Sequence, residues 1–487
     1  MGLLNLIYIG TATTPRILTP SSIAYLIITG IYNVYFHPLR HFPGPWFSAA
    51  TSLPRILGRV RGIEPYHLQW LHDTYGDVVR ISPNELSYTT AKAWKDIHGH
   101  AAPVGLFLAD DGDHGRQRRI FSHAFSDRAL KDQEPLFRGY VELLMANLRS
   151  QGTATPDAKV NMVDMYNFTT FDIMADLTFG ESLQLLAGST YNAWVSGIFA
   201  AVKFFGLSTT LRFYFPEINA ALPYVLPVLK KKQREHMQYA LDRVDRRLAI
   251  QTDRPDIWSY VLREKEEGQG ARLTVPEMHA NATTFMIAGT ETTATLLSGV
   301  TYLLLRNADK MARLVAEIRG AFASPDEMNL QNLPQLPYLN ACLEEALRVY
   351  PPVPGGLPRL TPSGGTIIEG EHVPGNVTVF VTNWAAYHSS RHFALPEEYI
   401  PERWLPDNDD PRFANDDKAI LQPFSYGPRN CIGKNLAWHE MRLILSYTLW
   451  HFDLELCGES EDWLDQRVYA LWEKKPLMVR LKPVERE

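Results

Sequence analysis

The stretch "FSYGPRNCIG", residues 424–433, places Cys431 between two glycines and two residues after an arginine. The other cysteines of the 487-residue chain, Cys342 and Cys457, lie far from it, so neither a disulfide framework nor a zinc site is expected. "GKNLAWHEMRLILSYTLW" follows directly and predicts a helix that begins beside Cys431. A helix N-terminus favours a thiolate over a thiol. The pattern therefore predicts a ligating cysteine, although a lone cysteine is more often a small buried apolar residue.

The residues around Cys431 favour a flat cofactor with acidic groups. Gly433 leaves room for a planar group to approach the backbone, and Gly427 permits an unusual backbone angle. Arg429 can bind an acidic group beside the thiolate. Haem has both features, because its iron accepts a soft axial ligand and its two propionates bind arginine. We therefore expect haem iron at Cys431.

The composition is that of an ordinary globular protein, with 45% apolar and 21% charged residues. No Gly/Ser run, charge block or repeat interrupts residues 37–487, so we expect one catalytic domain there. Helical periodicity dominates, with short strand-like runs such as "NVTVFVTN", which predicts a mainly α fold with small β-sheets. The net charge of −6 argues against nucleic acid as a partner. No G-x-G-x-x-G follows a strand-like run, so neither nicotinamide nor flavin is expected to bind.

The N-terminal segment has a different character. The stretch "ILTPSSIAYLIITGIYNVYF", residues 17–36, is 20 residues without a charge, the length of one membrane crossing. No small-residue cleavage site stands out after it, so we expect residues 1–36 to be a retained single-pass anchor rather than a signal peptide. A buried helix is the alternative. Pro38, Pro43 and Pro45 then end the helix and predict a stiff connection to the catalytic domain.

A long helix is predicted from Thr274 onward to about residue 305, because "TVPE" is a capping-box sequence. The apolar middle of this helix contains "AGTETT", residues 288–293. Glycine and threonine are unfavourable inside a helix, so their presence here suggests a function. Glu291 and Thr292 are therefore candidates for chemistry. The alternative for Thr292 is a hydroxyl that bonds its own helix backbone.

Two further motifs carry charges that can pair. In "EEALR", Glu345 and Arg348 are three residues apart and share one face of a predicted helix. "PERW", residues 401–404, places Arg403 in a stretch without regular periodicity. Each motif alone is weak evidence for a buried ion pair, since most such pairs are solvated charges on the surface.

Taken in order, these motifs resemble those of the cytochrome P450 monooxygenases. "FSYGPRNCIG" matches F-x-x-G-x-R-x-C-x-G, the haem loop of that family. "HGRQR" (114–118), "AGTETT", "EALR" and "PERW" precede it in the family's order, and the resemblance covers the chain from His37 onward. "YFHPLRHFPGPW" is similar to fungal members of secondary metabolism. The resemblance implies the cytochrome P450 fold, mainly α with small β-sheets.

The resemblance also implies roles for individual residues. Cys431 would be the axial ligand of the iron of haem b (iron protoporphyrin IX), with Phe424 shielding it and Gly433 beside it. The haem propionates would be held by four side chains: Arg429, Arg118, Arg359 and His114. His114 stands at the position where many family members have tryptophan. A buried charge triad of Glu345, Arg348 and Arg403 would fix the loop around the haem.

The same resemblance implies an oxygen-dependent reaction. Thr292 would hold oxygen and a water chain, and Glu291 would feed protons into that chain. NADPH-cytochrome P450 reductase would supply electrons at an endoplasmic reticulum membrane, with the catalytic domain in the cytosol. The substrate would be a hydrophobic small molecule, terpenoid or polyketide-like. The residues expected to line its pocket are all apolar: Val104, Leu106, Phe107, Phe285, Ile287, Val353 and Leu357.

Two other functions remain open from the sequence. One is a haem-thiolate isomerase or dehydratase that does not use O2; such enzymes often alter the acid–threonine pair. The other is a haem-binding sensor or electron carrier, which would not need a proton-delivery motif. Both Glu291 and Thr292 are present, which favours the monooxygenase.

Overall fold

The computed structural model describes residues 20–99, 111–215, 227–250, 252, 254–266 and 273–485. The helices of the N-terminal half are α1 (Pro20–Tyr35), α2 (Trp46–Ala50), α3 (Leu53–Val60), α4 (Glu64–Tyr75), α5 (Ala91–His98), α6 (Asp111–Ser122), α7 (Asp127–Gly152), α8 (Met162–Phe179), α9 (Leu185–Gly188) and α10 (Ala193–Tyr214). Those that follow are α11 (Pro227–Leu248), α12 (Ile257–Glu266), α13 (Val275–Arg306), α14 (Ala308–Ala321), α15 (Pro337–Val349), α16 (Asn383–Tyr387) and α17 (Lys434–His451).

The strands are short and form separate sheets, as the sequence predicts. They are β1 (Val78–Ser82), β2 (Glu85–Tyr88), β3 (Val160–Asn161), β4 (Arg359–Leu360), β5 (Thr366–Ile368), β6 (Glu371–Val373), β7 (Thr378–Val381), β8 (Phe452–Leu456), β9 (Arg467–Tyr469), β10 (Leu471–Glu473) and β11 (Met478–Pro483). One sheet has the order β1-β2-β7-β4, with β2 and β7 parallel. A second has the order β3-β11-β8, and β5-β6 and β9-β10 are hairpins. The mainly α fold with small sheets is confirmed.

Helix α13 forms the centre of the molecule and confirms the long helix predicted from Thr274. The capping box is present: the Thr274 side chain accepts from the Glu277 amide, and the Glu277 carboxylate accepts from the Thr274 amide. From Thr293 to Leu304 every residue is buried, so this half is enclosed on all sides and packs against α8, α15 and α17.

Gly289 of "AGTETT" lies where α13 and α8 pack closely. A Cβ at Gly289 would lie 2.8 Å from the sulfur of Met174 on α8. A larger residue would require the Met174 side chain to move. The glycine in the middle of the helix is therefore explained by helix packing.

The expected N-terminal anchor lies partly outside the described residues, since residues 1–19 are not among them. Helix α1 exposes several large apolar side chains: Ile23, Tyr25, Leu26, Ile27, Ile28, Ile31, Tyr32 and Tyr35. Among the described residues, no helix combines the length and apolarity that a membrane crossing requires. The end of α1 packs on the body, because the Asn33 side chain donates to the Ala50 carbonyl at 3.1 Å and Arg80 donates to the Asn33 carbonyl at 2.9 Å.

Candidate active site

The loop of residues 424–433 is folded tightly by its own backbone. The Cys431 amide donates to the Phe424 carbonyl at 2.8 Å, and the Asn430 amide donates to the Gly427 carbonyl at 3.0 Å. Gly427 has φ +75°, and a Cβ there would lie 2.0 Å from the His98 carbonyl oxygen, so only glycine fits. The loop thus presents Cys431 immediately before α17, as predicted.

Cys431 differs from the other two cysteines because its side chain is exposed, whereas Cys342 and Cys457 are buried. Protein surrounds the sulfur closely enough that desolvation raises the pKa of Cys431, and the Gly433 amide, Arg118 and Lys434 only partly oppose this shift. A metal cation bound at the sulfur would displace its proton.

Helix α13 has an accessible face in its middle, although the residues around that face are buried. Ile287 is 41% exposed, and Ala288 is also exposed. Thr292, one turn after Ala288, is half-buried. Phe285 and Thr290 on either side are buried. This face of a largely buried helix is therefore accessible at Ile287 and Ala288.

Thr292 and Glu291 have different surroundings. The Thr292 hydroxyl donates to the Ala288 carbonyl at 2.7 Å, the backbone bond that was the alternative for this residue. Glu291 is buried, and its carboxylate accepts a hydrogen bond from Lys474 Nζ at 2.6 Å. The acid is therefore paired within the protein, while the hydroxyl lies on the accessible face of α13.

Helix α6 connects the cysteine loop with α13. Arg118 Nη1 donates to the Asn430 carbonyl at 2.6 Å, which places its guanidinium beside Cys431. Asn281 of α13 donates to the Gln117 side chain at 2.8 Å. His114 is half-buried one turn before Arg118 and so shares its face of α6. The structure brings Arg118 to the cysteine loop, as the motif order suggested.

The other two expected propionate ligands lie on short elements near the loop. Arg359 is the first residue of β4, is 7% exposed, and donates to the Pro358 carbonyl at 3.0 Å. Arg429 lies in the single 3-10 turn Gly427–Arg429 that leads into Cys431. Their positions follow from β4 pairing with β7 and from the fold of the loop.

His98, the last residue of α5, was missed by the sequence analysis. It is 3% exposed, and neither ring nitrogen has a hydrogen-bond partner among the described residues. Burial, with a smaller effect of Arg359, lowers the pKa of His98 to about 3, so the ring is neutral. A buried ring with unused polar atoms requires a partner. A lone histidine late in an amphipathic helix gives no sequence signal for this position.

These residues fit haem. An accessible cysteine sulfur suits the iron, and the guanidiniums of Arg118 and Arg359 suit acidic side arms. The backbone carbonyl of His98 contacts Gly427 of the cysteine loop, and the buried ring of the same residue has two unused nitrogens. The apolar accessible face of α13 suits a flat apolar ring.

Glu345, Arg348 and Arg403 are brought together and are fully buried. Arg348 donates to both oxygens of Glu345 at 2.9 and 2.8 Å, and Arg403 Nε donates to Glu345 at 3.2 Å. Burial acts to raise the pKa of Glu345, but the two guanidiniums outweigh it and lower the pKa below its ordinary value. The carboxylate is therefore ionised within the core.

Two partners of this cluster were not expected from sequence. Trp404 Nε1 donates to Glu345 at 2.7 Å, and Asp416 forms an ion pair with Arg403. Arg348 also donates to the carbonyls of Pro396 at 2.6 Å and Glu398 at 2.7 Å. The cluster thus joins α15 to the irregular segment that leads to the cysteine loop.

The expected substrate-lining residues fall into two groups. Val104, Leu106 and Phe107 lie outside the described residues. Ile287 is exposed on α13, and Val353 and Leu357 are half-buried after α15. Phe285 is largely buried against other aromatic rings. The part of the lining that the structure describes is apolar.

Comparison with known proteins identifies the family. The cytochrome P450 family model matches residues 71–481. The cytochrome P450 monooxygenase efuB of Hormonema carpetanum is 47% identical over 483 residues, which are 95% of this chain and 95% of that protein. The cytochrome P450 monooxygenase FUM2 of Gibberella moniliformis is 48% identical over 475 residues, 92% of this chain and 99% of that protein. The cytochrome P450 monooxygenase astJ of Aspergillus oryzae is 42% identical over 473 residues, with 93% and 94% covered.

These relatives are all named monooxygenases, and nothing among them supports the isomerase, dehydratase, sensor or carrier alternatives. The haem cofactor and the use of O2, a redox partner and a hydrophobic substrate follow from the family. The match spans most of the chain, and it includes the loop that presents Cys431. This chain belongs to the cytochrome P450 family and is a haem-thiolate monooxygenase.

Proposed function

We propose that this enzyme hydroxylates or otherwise oxidises a terpenoid or polyketide-like secondary metabolite with O2. The observation that carries the proposal is the cysteine loop: Cys431 is accessible, is held by a backbone bond to Phe424, and has Arg118 beside it. The apolar side chains of Ile287, Val353 and Leu357 support a hydrophobic substrate. The similarity of "YFHPLRHFPGPW" to fungal secondary-metabolism members supports the metabolite class.

The cofactor in this proposal is haem b. Cys431 would be the axial ligand, with the Gly433 amide donating to its sulfur and Phe424 packing beside it against Trp438. The propionates would be held by the cations and donors described above, with one histidine added: Arg118, Arg359, Arg429, His114 and His98. When bound, haem supplies an iron that binds and activates O2.

The protein's own residues would control protons and water on the accessible face of α13. Thr292 would exchange its backbone bond to Ala288 for a hydrogen bond to a water on this face, because a hydroxyl can both donate and accept. Glu291 would supply protons from the neighbouring position. Ile287 and Ala288 would keep other water away, since they are apolar and accessible.

The electron donor we propose is NADPH-cytochrome P450 reductase. Lys434, exposed beside the cysteine loop, supports a basic docking surface there, together with Arg429. Arg442, which the sequence also suggested for this surface, instead donates to Asn340 at 2.8 Å and stacks on Trp438. Docking near the loop gives electrons a short path to the cofactor.

We also propose that residues 1–36 bind the enzyme to the endoplasmic reticulum membrane, with the catalytic domain in the cytosol. The support is the uncharged stretch 17–36 and the row of exposed apolar side chains on α1, including Ile27 and Ile28. Exposed apolar surface of this extent is costly in water. Membrane attachment would also bring the enzyme to a membrane-bound reductase.

The proposal is tested by reconstituting the enzyme with the reductase, NADPH and a panel of terpene alcohols and polyketide lactones. We expect at least one compound, hereafter the probe substrate, to be converted to a product that gains oxygen from labelled O2. Conversion without NADPH and O2 would instead assign the enzyme to the isomerase or dehydratase class. NADPH oxidation with no compound of the panel converted would reject the proposed metabolite class.

A further inference from the structure

Lys474, which directly follows β10, reaches the centre of the molecule. Its ammonium donates to the Glu291 carboxylate at 2.6 Å and to the Thr295 hydroxyl at 2.9 Å. The side chains of Lys474 and Glu291 are only 4% and 6% exposed. The C-terminal hairpin is thus joined to α13 at the residue next to Thr292.

A third element completes the surroundings of this ion pair. Asn167 of α8 lies 3.5 Å from Lys474 Nζ, and its side-chain amide donates to the Tyr191 hydroxyl at 2.9 Å. Tyr191 in turn donates to Asp164 at 2.7 Å. Because each of these groups is fixed by a further bond, the ammonium of Lys474 has a defined position.

The two oxygens of Glu291 differ. One accepts from Lys474, while Oε2 is buried with no hydrogen-bond partner among the described residues. A buried carboxylate normally uses all its acceptor capacity, and an unused oxygen is costly. Lys474 therefore holds the side chain by one oxygen and leaves the other available to take up and pass on a proton.

We propose that Lys474 is a positioning residue that orients the Glu291 carboxylate for proton delivery at Thr292. The inference rests on the proposed function, in which Glu291 supplies protons. The carboxylate accepts one proton from the solvent side and releases one toward Thr292, so the charge of the pair is unchanged after each transfer. Without the ammonium, the buried Glu291 side chain loses the bond that fixes its direction.

Removal of the ammonium is tested with Lys474→Met, which keeps an unbranched side chain but removes the charge. We expect full-length Lys474→Met enzyme to bind haem and to oxidise NADPH with reductase and the probe substrate. Hydrogen peroxide per NADPH should rise about fivefold and product per NADPH should fall. The reason is that a misplaced Glu291 carboxylate transfers protons poorly, whereas haem and substrate still bind. The ratio is unaffected by a loss of folded enzyme. Lys474→Arg, which keeps the charge, should restore most of the coupling.

Lys475→Met is the matched control. Lys475 is the next residue, is 40% exposed, and pairs with Asp462 at the surface at 3.3 Å, so its loss should not change the ratio. In a Glu291→Gln background, Lys474→Met should add no further uncoupling, since the group it positions is already altered.

The outcomes separate the inference from the function on which it rests. If Glu291→Gln uncouples the enzyme but Lys474→Met does not, the positioning role of Lys474 is wrong and the proposed function stands. Equal uncoupling by Lys474→Met and Lys475→Met, or additive effects with Glu291→Gln, would also overturn the positioning role. If Glu291→Gln leaves the coupling unchanged, the proton role of Glu291 fails, and the inference fails with it.

Discussion

Thr290 and Thr292 are two threonines of the same helix that make the same type of hydrogen bond but differ in exposure. Both hydroxyls donate to the carbonyl four residues earlier, at 2.6 and 2.7 Å. Thr290 is fully buried against neighbouring helices, whereas Thr292 lies on the accessible face with Ala288. The two residues therefore make the same backbone bond and differ in exposure, and the proposed role of Thr292 rests on that difference.

Thr292→Ala should uncouple NADPH oxidation from product formation. Haem should still bind, since its expected ligand Cys431 and the propionate ligands lie on other elements. Delivery of protons at the oxygen site should fail, so product per NADPH should fall about tenfold while peroxide rises. Peroxide, NADPH and product are measured together with the probe substrate.

Thr290→Ala is the control for this experiment. It removes the same hydroxyl and the same type of backbone bond from a buried position two residues away. We expect it to lower stability without raising peroxide per NADPH. Equal coupling in wild type and Thr292→Ala would remove Thr292 from the mechanism.

Glu440 of α17 makes the stability depend on pH. Burial raises its pKa from 4.5 to about 8, and the nearby Thr293 hydroxyl opposes this only partly. The folded protein therefore keeps a proton that the unfolded chain releases, so stability falls as pH rises from 4.5 to about 8. At 1.36 kcal/mol per pKa unit, the loss is at most roughly 5 kcal/mol. Glu440→Gln should remove this part of the pH dependence.

The measurement is the thermal midpoint of the holoenzyme at pH 5.5 and at pH 9. From pH 5.5 to pH 9, the thermal midpoint of wild type should fall more than that of Glu440→Gln, because glutamine has no proton to lose. Glu461→Gln, at an exposed position, should show no such difference from wild type. If the thermal midpoints of wild type and Glu440→Gln differed by the same amount at both pH values, Glu440 would not hold its proton in the folded state.

At the scale of elements, local patterns predicted much of what the structure shows. The capping box at Thr274 and the helix after Cys431 depend on residues close in sequence, and both were predicted. The roles of Lys474, His98 and Asp416 depend on partners far along the chain, and no local pattern marks them. The family motifs predicted the order of the site residues along the chain. The hydrogen bonds that Glu291 and Arg118 make are seen only in the structure.

Helix α1 should attach the enzyme to membranes. Full-length protein is expected in the membrane fraction, because α1 exposes a row of apolar side chains that includes Ile27 and Ile28. Deletion of residues 1–28 should release most of the protein while the haem spectrum is kept. Sedimentation with membranes, before and after a salt wash, measures the attachment.

A deletion of residues 1–36 is a useful comparison, because it also removes Asn33. Asn33 is buried between Ala50 and Arg80, so the longer deletion should lower the thermal midpoint as well as release the protein. Full-length protein that stays in the supernatant without detergent would contradict the proposed anchor.

At the scale of the whole molecule, the buried charge cluster joins separate parts of the chain. Glu345 on α15 contacts Arg403, which is paired with Asp416, and the segment after Asp416 leads to the cysteine loop. Removing Glu345 would leave the Arg348 guanidinium buried without its carboxylate partner, a cost of about 3–5 kcal/mol. The resemblance to the cytochrome P450 family implied that Glu345, Arg348 and Arg403 meet; burial of all three shows that they form part of the core.

We propose that Cys431 ligates the haem iron, and the proposed function depends on this bond. It is tested most directly by the absorption spectrum of the reduced, carbon-monoxide-bound enzyme, in wild type and in Cys431→Ser, with Cys457→Ser as a control at a buried cysteine. Wild type and Cys457→Ser should show the red-shifted Soret band of thiolate-ligated haem, and Cys431→Ser should lose it. A Cys431→Ser enzyme that kept this band would contradict the account.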